Sequence, residues 1–162
     1  MAEILATLGL ALHPGKTRIA RLTGGDEGVD FLGFHLRKVE SWRWRGRYYL
    51  QRWPSDRAMA SIRAKIREAT DRRYVGCSME QVITNLNRVL RGWGAYFRYG
   101  NSARKFTTID SYVHERLAIF ASNKHGLAGR NWTRRFDTAW LGRLGVYRLQ
   151  RTVRYGTAHA LR

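Results

Sequence analysis

The fold is decided by one stretch of the chain, Leu86–Arg98, which reads LNRVLRGWGAYFR. Its large apolar residues recur at the i, i+4, i+7 and i+11 spacing of one helix face, which predicts a buried stripe of Leu86, Leu90, Trp93 and Phe97. The arginines of the stretch fall off that stripe, at Arg88, Arg91 and Arg98. Gly92 and Gly94 each cost a helix interior about 1 kcal/mol relative to alanine, so the pair predicts close approach of another backbone or of RNA. We interpret the stretch as a packing seam with a basic rim.

The charge of the chain points to a polyanionic partner. Over 162 residues it carries 30 Lys and Arg against 12 Asp and Glu, a formal net charge of +18. A polyanion would relieve this self-repulsion, so nucleic acid is the leading partner and a membrane surface the competitor. No apolar run approaches the roughly 20 residues of a spanning helix, and no signal-like segment opens the chain, so we expect a cytoplasmic protein without a membrane partner. Cys77 is the single cysteine and the histidines are scattered, so we expect no disulfide and no metal site.

The first third of the chain predicts short antiparallel strands and hairpins. Residues 29–39 alternate in polarity as one strand, with Gly33 on the face opposite Phe34. A glycine inside a strand often marks a bulge or a place where a backbone or ligand comes close. A second hairpin is predicted over residues 42–53, turning at Arg45-Gly46.

Cations and aromatic residues interleave around this second hairpin. The arginines that we take as candidate nucleic-acid contacts are Arg37, Arg43, Arg45 and Arg47. Mixed with Trp and Tyr, they suit a surface that neutralises phosphates and stacks on bases. For any one residue the alternative, an aromatic ring facing a core and an arginine facing water, is equally compatible with the pattern.

The rest of the chain predicts a small α-helical bundle, which makes the fold α+β. Pro54 and the capping residue Ser55 set a boundary, so we divide the chain into residues 1–53 and 54–162. Helices are predicted over residues 56–73, from the capping box Ser78–Gln81 through the seam, over 107–124 and over 131–140, with a strand or extended tail over 146–153. The first helix directs further candidate RNA contacts outward, namely Arg63, Arg67 and Arg73.

Four segments together resemble a known family. They are LGLALHPGKT at residues 8–17, FLGF at 31–34, the seam at 86–98, and IDSYVHERL at 109–117. In this order they resemble the C-terminal part of group II intron-encoded reverse transcriptase/maturases. The resemblance implies that residues 1–53 form the end of a polymerase palm and residues 54–162 a thumb/maturase domain. Ala95 departs from the family pattern, which often has Asn there, and Arg88 and His13 stand where Pro and Asn are frequent.

The resemblance also implies a function. Such a domain binds its own intron RNA, assists its folding and splicing, and in the full-length enzyme holds the template-primer RNA or RNA/DNA duplex. FLGF resembles the primer-grip motif, which includes Gly33, and Lys16 matches a lysine that lies near the incoming nucleotide. No catalytic residue is expected in this chain: the paired aspartates of the family would lie upstream of Met1, so Mg²⁺ is expected only with those carboxylates, which an upstream reverse transcriptase fragment could supply.

Two other functions remain open. The chain could contribute RNA-directed DNA polymerase activity as part of a larger or split enzyme, or it could be a basic structural RNA- or DNA-binding protein unrelated to introns. Comparing its binding to intron RNA and to an unrelated structured RNA separates the last alternative from the maturase interpretation.

Overall fold

The structure is a computed structural model that describes residues 7, 9, 27–127 and 135–155. Within these residues a three-stranded antiparallel sheet is followed by four helices, which confirms the predicted α+β class. The strands, in their sheet order, are β1 (Gly28–Phe31), β2 (Phe34–Glu40) and β3 (Tyr48–Pro54). The helices are α1 (Asp56–Ala69), α2 (Met79–Phe97), α3 (Ala103–Lys124) and α4 (Thr138–Arg143). Lys16 lies outside the described residues.

The chain divides into two compact units, each described by itself below. One takes its described residues from Met1–Val29 and Arg37–Leu50, and the other from Asp30–Leu36 and Gln51–Arg162. We call them the loop unit and the helical unit.

The predicted single strand over residues 29–39 is wrong, because the chain reverses at Leu32-Gly33 and forms a hairpin between β1 and β2. Both turn residues have positive φ, +48° at Leu32 and +80° at Gly33. Two positive φ values in a two-residue turn match the twist of the flanking strands. The alternation of polar and apolar residues continues across the turn, so this periodicity alone does not indicate the chain reversal.

The second hairpin turns at Arg45-Gly46 as predicted, with the Arg47 amide donating to the Trp44 carbonyl at 3.1 Å, but its first strand is β2 and not a strand that begins at Trp42. Residues 41–47 form the connection, which places Trp42 and Trp44 in a loop rather than on a strand. The strand β3 then runs to Pro54, and Ser55 caps α1 by accepting a hydrogen bond from the Ala58 amide.

Helix α1 ends at Ala69, four residues earlier than predicted. The Thr70 hydroxyl donates to the Ile66 carbonyl at 2.8 Å, and Asp71 then caps a separate 3-10 turn, Arg72–Tyr74. Arg73 therefore lies on this turn and not on the helix that carries Arg63 and Arg67. A side chain that bonds its own backbone competes with helix continuation, which explains the early end.

Helix α2 begins at the predicted capping box, since Ser78 and Gln81 satisfy each other's backbone amides. Its buried stripe shares one core with residues of α1 and α3, and α1 packs against both other helices. The α1 side contributes Ile62 and Ile66, and the α3 side contributes Phe106, Ile109, Val113, Leu117 and Phe120. Gly126, with φ of +62°, follows the end of α3, as expected for a C-terminal glycine.

The last segments differ from the prediction. In the helix predicted over residues 131–140, Phe136 and Asp137 are not helical, and α4 starts at Thr138 after the cap Asp137. Trp132 lies outside the described residues. Residues 146–153 are not a strand. They contain the buried Leu149 and a 3-10 turn, Gln150–Thr152, and the adjoining Arg154 pairs with Tyr99 in a single parallel bridge.

Candidate nucleic-acid interface

The loop unit presents two tryptophans on a hydrogen-bonded loop, residues 41–47. The Ser41 amide donates to the Arg47 carbonyl at 2.7 Å, and the Gly46 amide donates to Glu40 Oε1 at 2.7 Å. Gly46 has φ of +77°, a conformation that side chains disfavour. The loop is therefore fixed by its own bonds and does not need a partner to acquire its shape.

Both tryptophans are exposed to solvent, and each makes a cation–π contact with an arginine. Trp42 is 85% exposed and Trp44 59% exposed, which is unusual for the side chain with the largest apolar surface. The Arg43 guanidinium lies 5.4 Å from the Trp42 ring centroid, and the Arg47 guanidinium lies 5.4 Å from that of Trp44. Such pairs can bind a phosphate with the cation and a base with the ring. The other predicted contacts of this unit, Arg37 and Arg45, are also exposed.

In the helical unit the predicted contacts occupy three elements. On α1, Arg67 is exposed and Arg63 is half-buried, one turn apart on the same side of the helix. Arg73 is exposed on the 3-10 turn, with its guanidinium 3.7 Å from a Glu68 carboxylate oxygen. An exposed pair of this kind is worth at most about 1 kcal/mol, so it leaves Arg73 able to bind a phosphate.

Arg88 and Arg91 on α2, and Arg98 directly after it, differ in their contacts within the protein. Arg88 and Arg91 are exposed, and the Arg91 guanidinium lies 5.4 Å from the Tyr147 ring centroid. Arg98 is half-buried, and its guanidinium donates to the Tyr99 hydroxyl at 3.0 Å. Its Nε is buried without a hydrogen-bond partner among the described residues. Arg98 is therefore the least accessible of the three.

The side chains of the seam pack against other side chains of the protein. Leu86 and Leu90 are fully buried, Phe97 is nearly so, and the half-buried Trp93 lies 4.8 Å from Phe97 and 5.4 Å from Phe106 between ring centroids. The two glycines predicted close approach of another backbone or of RNA, and the backbone prediction is wrong: the Leu149 side chain contacts Gly94, and Gly92 is exposed. The alternative of RNA approaching Gly94 is therefore excluded by the protein's own C-terminal segment.

Gly33 lies against the end of this seam. A Cβ on Gly33 would be 3.3 Å from the Phe97 ring, and the Gly33 carbonyl accepts a hydrogen bond from the Ser55 amide at 2.8 Å. The neighbouring Leu32 carbonyl accepts from the Tyr96 hydroxyl at 2.9 Å. The FLGF segment is thus fixed to α2 and to the start of α1.

Sequence reasoning missed cations that the fold itself uses. Arg116 donates to the Thr70 hydroxyl and carbonyl at 3.2 Å each, and so caps the end of α1. Lys124 donates to the Val75 and Cys77 carbonyls at 2.8 Å each. Both lie on α3, and in sequence neither differs from a surface cation. Their partners are carbonyls, which carry no sequence signal.

Two aspartates have shifted pKa values, in opposite directions. Burial raises the pKa of Asp110, although its carboxylate accepts the Leu149 and Gln150 amides at 3.0 Å each. The hydrogen bond from Lys105 at 3.0 Å lowers the pKa of the exposed Asp56. Asp110 anchors the C-terminal segment that fills the seam.

The described residues also bear on metal binding and on membrane insertion. No group of three or more His, Cys, Asp or Glu side chains within residues 27–127 and 135–155 could hold a metal ion. Among the helices of the same ranges, none combines the length and apolarity that crossing a membrane requires.

Residues 59–140 match the family described as the group II intron, maturase-specific domain. The match runs from α1 through the seam to α4. No curated protein matches the chain.

Proposed function

This chain belongs to the group II intron maturase-specific domain family, and we propose that it binds the RNA of a group II intron in the cytoplasm and helps that RNA reach its splicing-competent fold. The observation that carries the proposal is the charge of +18, with arginines exposed on both units. A protein that binds only the folded RNA stabilises it by about 2.7 kcal/mol at a hundredfold excess over Kd. This mechanism requires no acid, base or nucleophile from the protein.

The contacts follow from the chemistry of RNA. Side chains cannot enter the deep groove of an A-form helix, so we expect duplex contacts to phosphates and 2′-hydroxyls across the shallow groove. We assign these contacts to the exposed or half-buried arginines Arg37, Arg43, Arg45, Arg47, Arg63, Arg67, Arg73, Arg88, Arg91 and Arg98. We expect the loop tryptophans to stack on unpaired bases.

We extend the proposal to the enzyme of which this region would be a part. Residues 1–53 would form the end of the palm, with Lys16 and Gly33 near the template-primer duplex, and residues 54–162 the thumb. Polymerase chemistry needs carboxylates that hold Mg²⁺ ions on both reacting oxygens. We expect an upstream reverse transcriptase fragment to supply them.

The salt dependence of RNA binding tests the charge argument. If six to ten phosphates are neutralised, affinity should fall by about 10³ to 10⁵ between 50 and 200 mM salt. Replacing Arg63, Arg67 and Arg73 by glutamine should reduce the slope of log K against log salt by about 2 to 3. Their positions off the buried stripe predict an unchanged melting temperature. An affinity that hardly responds to salt contradicts phosphate binding.

Specificity for the intron requires a second measurement. We expect filter binding at fixed salt to show higher affinity for a group II intron RNA than for an unrelated structured RNA of the same length. Equal affinities would favour a basic nucleic-acid-binding protein without a role in introns.

A further inference from the structure

The helical unit contains a cleft of about 610 Å³ whose lining shares only Arg63 with the proposed duplex contacts. Three elements form it: the end of β3, the first turns of α1, and the start of α3. Its polar and aromatic lining includes Gln51, Trp53, Arg63, Asn101, Arg104 and Lys105, and the buried Met59 adds an apolar contact. This volume is in the range of small-molecule sites, which lie between about 300 and 1,000 Å³.

The cleft is held in place by short contacts between β3 and the turn before α3. The Asn101 amide donates to the Arg52 carbonyl at 2.8 Å. Gly100, with φ of +116°, lies so close to this strand that a Cβ there would be 2.8 Å from the same carbonyl. No side chain fits this approach, and Asn101 and Arg104 line the same cleft as Trp53.

Trp53 is supported from one side. Its ring centroid lies 5.0 Å from that of His35, and His35 Nδ1 is in turn 2.7 Å from Asp30 Oδ1. A ring fixed by a neighbour loses little freedom when a ligand stacks on it, which favours binding. Trp53 is half-buried and also lines the cleft.

One cation of the cleft forms an ion pair within the protein, and two others are available to bind a ligand. Lys105 is bound to Asp56 at 3.0 Å. The guanidinium groups of Arg63 and Arg104 make no hydrogen bond or ion pair with any residue that the structure describes. A guanidinium can bind a phosphate through two parallel hydrogen bonds. The cleft thus combines an aromatic ring with two available phosphate-binding groups.

From this juxtaposition we propose that the cleft binds one unpaired nucleotide of the RNA, with its base stacked on Trp53 and its phosphate on Arg63 and Arg104. The inference rests on the proposed RNA binding and names a further recognition element within it. A nucleotide that is bulged out of a helix is already unstacked, so its capture costs less than extracting a paired one. The protein would then read the position of a bulge and not only the surface of a duplex.

The test compares a short, fully paired RNA duplex with the same duplex carrying one bulged adenosine. Wild-type protein should bind the bulged RNA more tightly. Trp53→Ala should weaken binding to the bulged RNA about 5- to 150-fold and leave the paired duplex unaffected, whereas Trp53→Phe should retain most of the preference. Arg104→Gln should weaken bulge binding about tenfold more than Arg57→Gln, which removes the same charge from an exposed α1 position outside the cleft.

The outcomes separate the two proposals. Equal binding of both RNAs by the wild type, with affinities unchanged in the cleft variants, overturns the cleft assignment and leaves RNA binding intact. If neither RNA binds, the proposed function fails, and a titration with adenosine 5′-monophosphate decides the cleft on its own. In that titration the indole N–H resonance of Trp53, assigned with Trp53→Phe, should shift, and an unshifted resonance overturns the assignment. If Trp53→Ala fails to fold, the test is the affinity of Arg104→Gln for the bulged RNA compared with that of Arg57→Gln.

Discussion

The Cδ2 atom of Leu149 lies 2.6 Å from the position that a Cβ would occupy on Gly94. Leu149 is fully buried, so its side chain has little room to move away. The glycine in the middle of α2 is therefore explained by one side chain from the C-terminal segment. Near it, Asn87 on α2 donates to the Gly145 carbonyl at 2.9 Å and accepts the Tyr147 amide at 2.8 Å.

Gly94→Ala should destabilise the protein by about 1 to 2 kcal/mol, because overpacking a core outweighs the gain in helix propensity. Gly92→Ala is the matched control on the same helix. Apart from the backbone of its own helix and its chain neighbours, no atom lies within 4 Å of the added Cβ, so Gly92→Ala should stabilise by up to about 1 kcal/mol. Urea unfolding of both variants measures the difference. If both variants change stability in the same direction, the Leu149 contact is not the reason for Gly94.

Trp93→Ala and Arg91→Ala should separate folding from binding. Trp93 packs on Phe97 and Phe106, so its truncation should cost about 3 kcal/mol of stability. Arg91 is exposed, and its removal should mainly weaken RNA binding. Melting temperature and RNA affinity are measured for each. A Trp93→Ala protein that melts normally but no longer binds RNA would make Trp93 a stacking residue, and an unstable Arg91→Ala protein would make Arg91 structural.

Asp110 should make stability depend on pH. Because burial raises its folded-state pKa above the ordinary value of 3.8, its contribution is fully present below the unfolded pKa and is lost as the pH rises through the folded pKa. We compare the free energy of unfolding of the wild type with that of Asp110→Asn. The difference, wild type minus variant, should decrease as the pH rises above about 4. Urea titrations at several pH values measure it. A difference that grows with pH would show that the two amide hydrogen bonds outweigh burial.

The Leu32-Gly33 turn offers a stabilising substitution. Leu32 is 70% exposed, and its φ of +48° costs a non-glycine residue about 1 kcal/mol. Asparagine tolerates this conformation and Asn-Gly is the preferred pair in such turns, so Leu32→Asn should stabilise by about 0.5 to 1 kcal/mol. Leu32→Ala keeps the unfavourable φ and should bring no gain. Equal melting temperatures for the two variants would show that the backbone at Leu32 is not strained.

The helical part of the fold could be predicted because its signals are local. The capping box at Ser78 and the stripe that includes Leu86 and Leu90 depend on residues a few positions apart, and the structure has both. The hairpin turn at Leu32 could not be predicted from the sequence, because leucine rarely adopts a positive φ and the alternation of polar and apolar residues does not mark the chain reversal. The same applies to the early end of α1, which depends on a Thr70 hydroxyl bond.

Individual basic residues of the candidate interface could be named from the sequence. Which cations bind the protein's own carbonyls and which are left for RNA could not be predicted. Arg116 and Lys124 bind carbonyls of distant segments, a use that no spacing rule predicts. The cleft around Trp53 was missed for the same reason. The cleft brings together residues of β3 and α3, and Gly100 allows the turn before α3 to lie against Arg52 of the strand.

The contact between Asn87 and Tyr147 joins residues that are 60 positions apart in the chain. A ribosome adds about 5 to 20 residues per second, so roughly 3 to 12 s pass between the synthesis of Asn87 and that of Tyr147. During this interval α2 has no C-terminal segment to cover the groove at Gly94. The apolar surface there remains open to other chains until Leu149 has been synthesised.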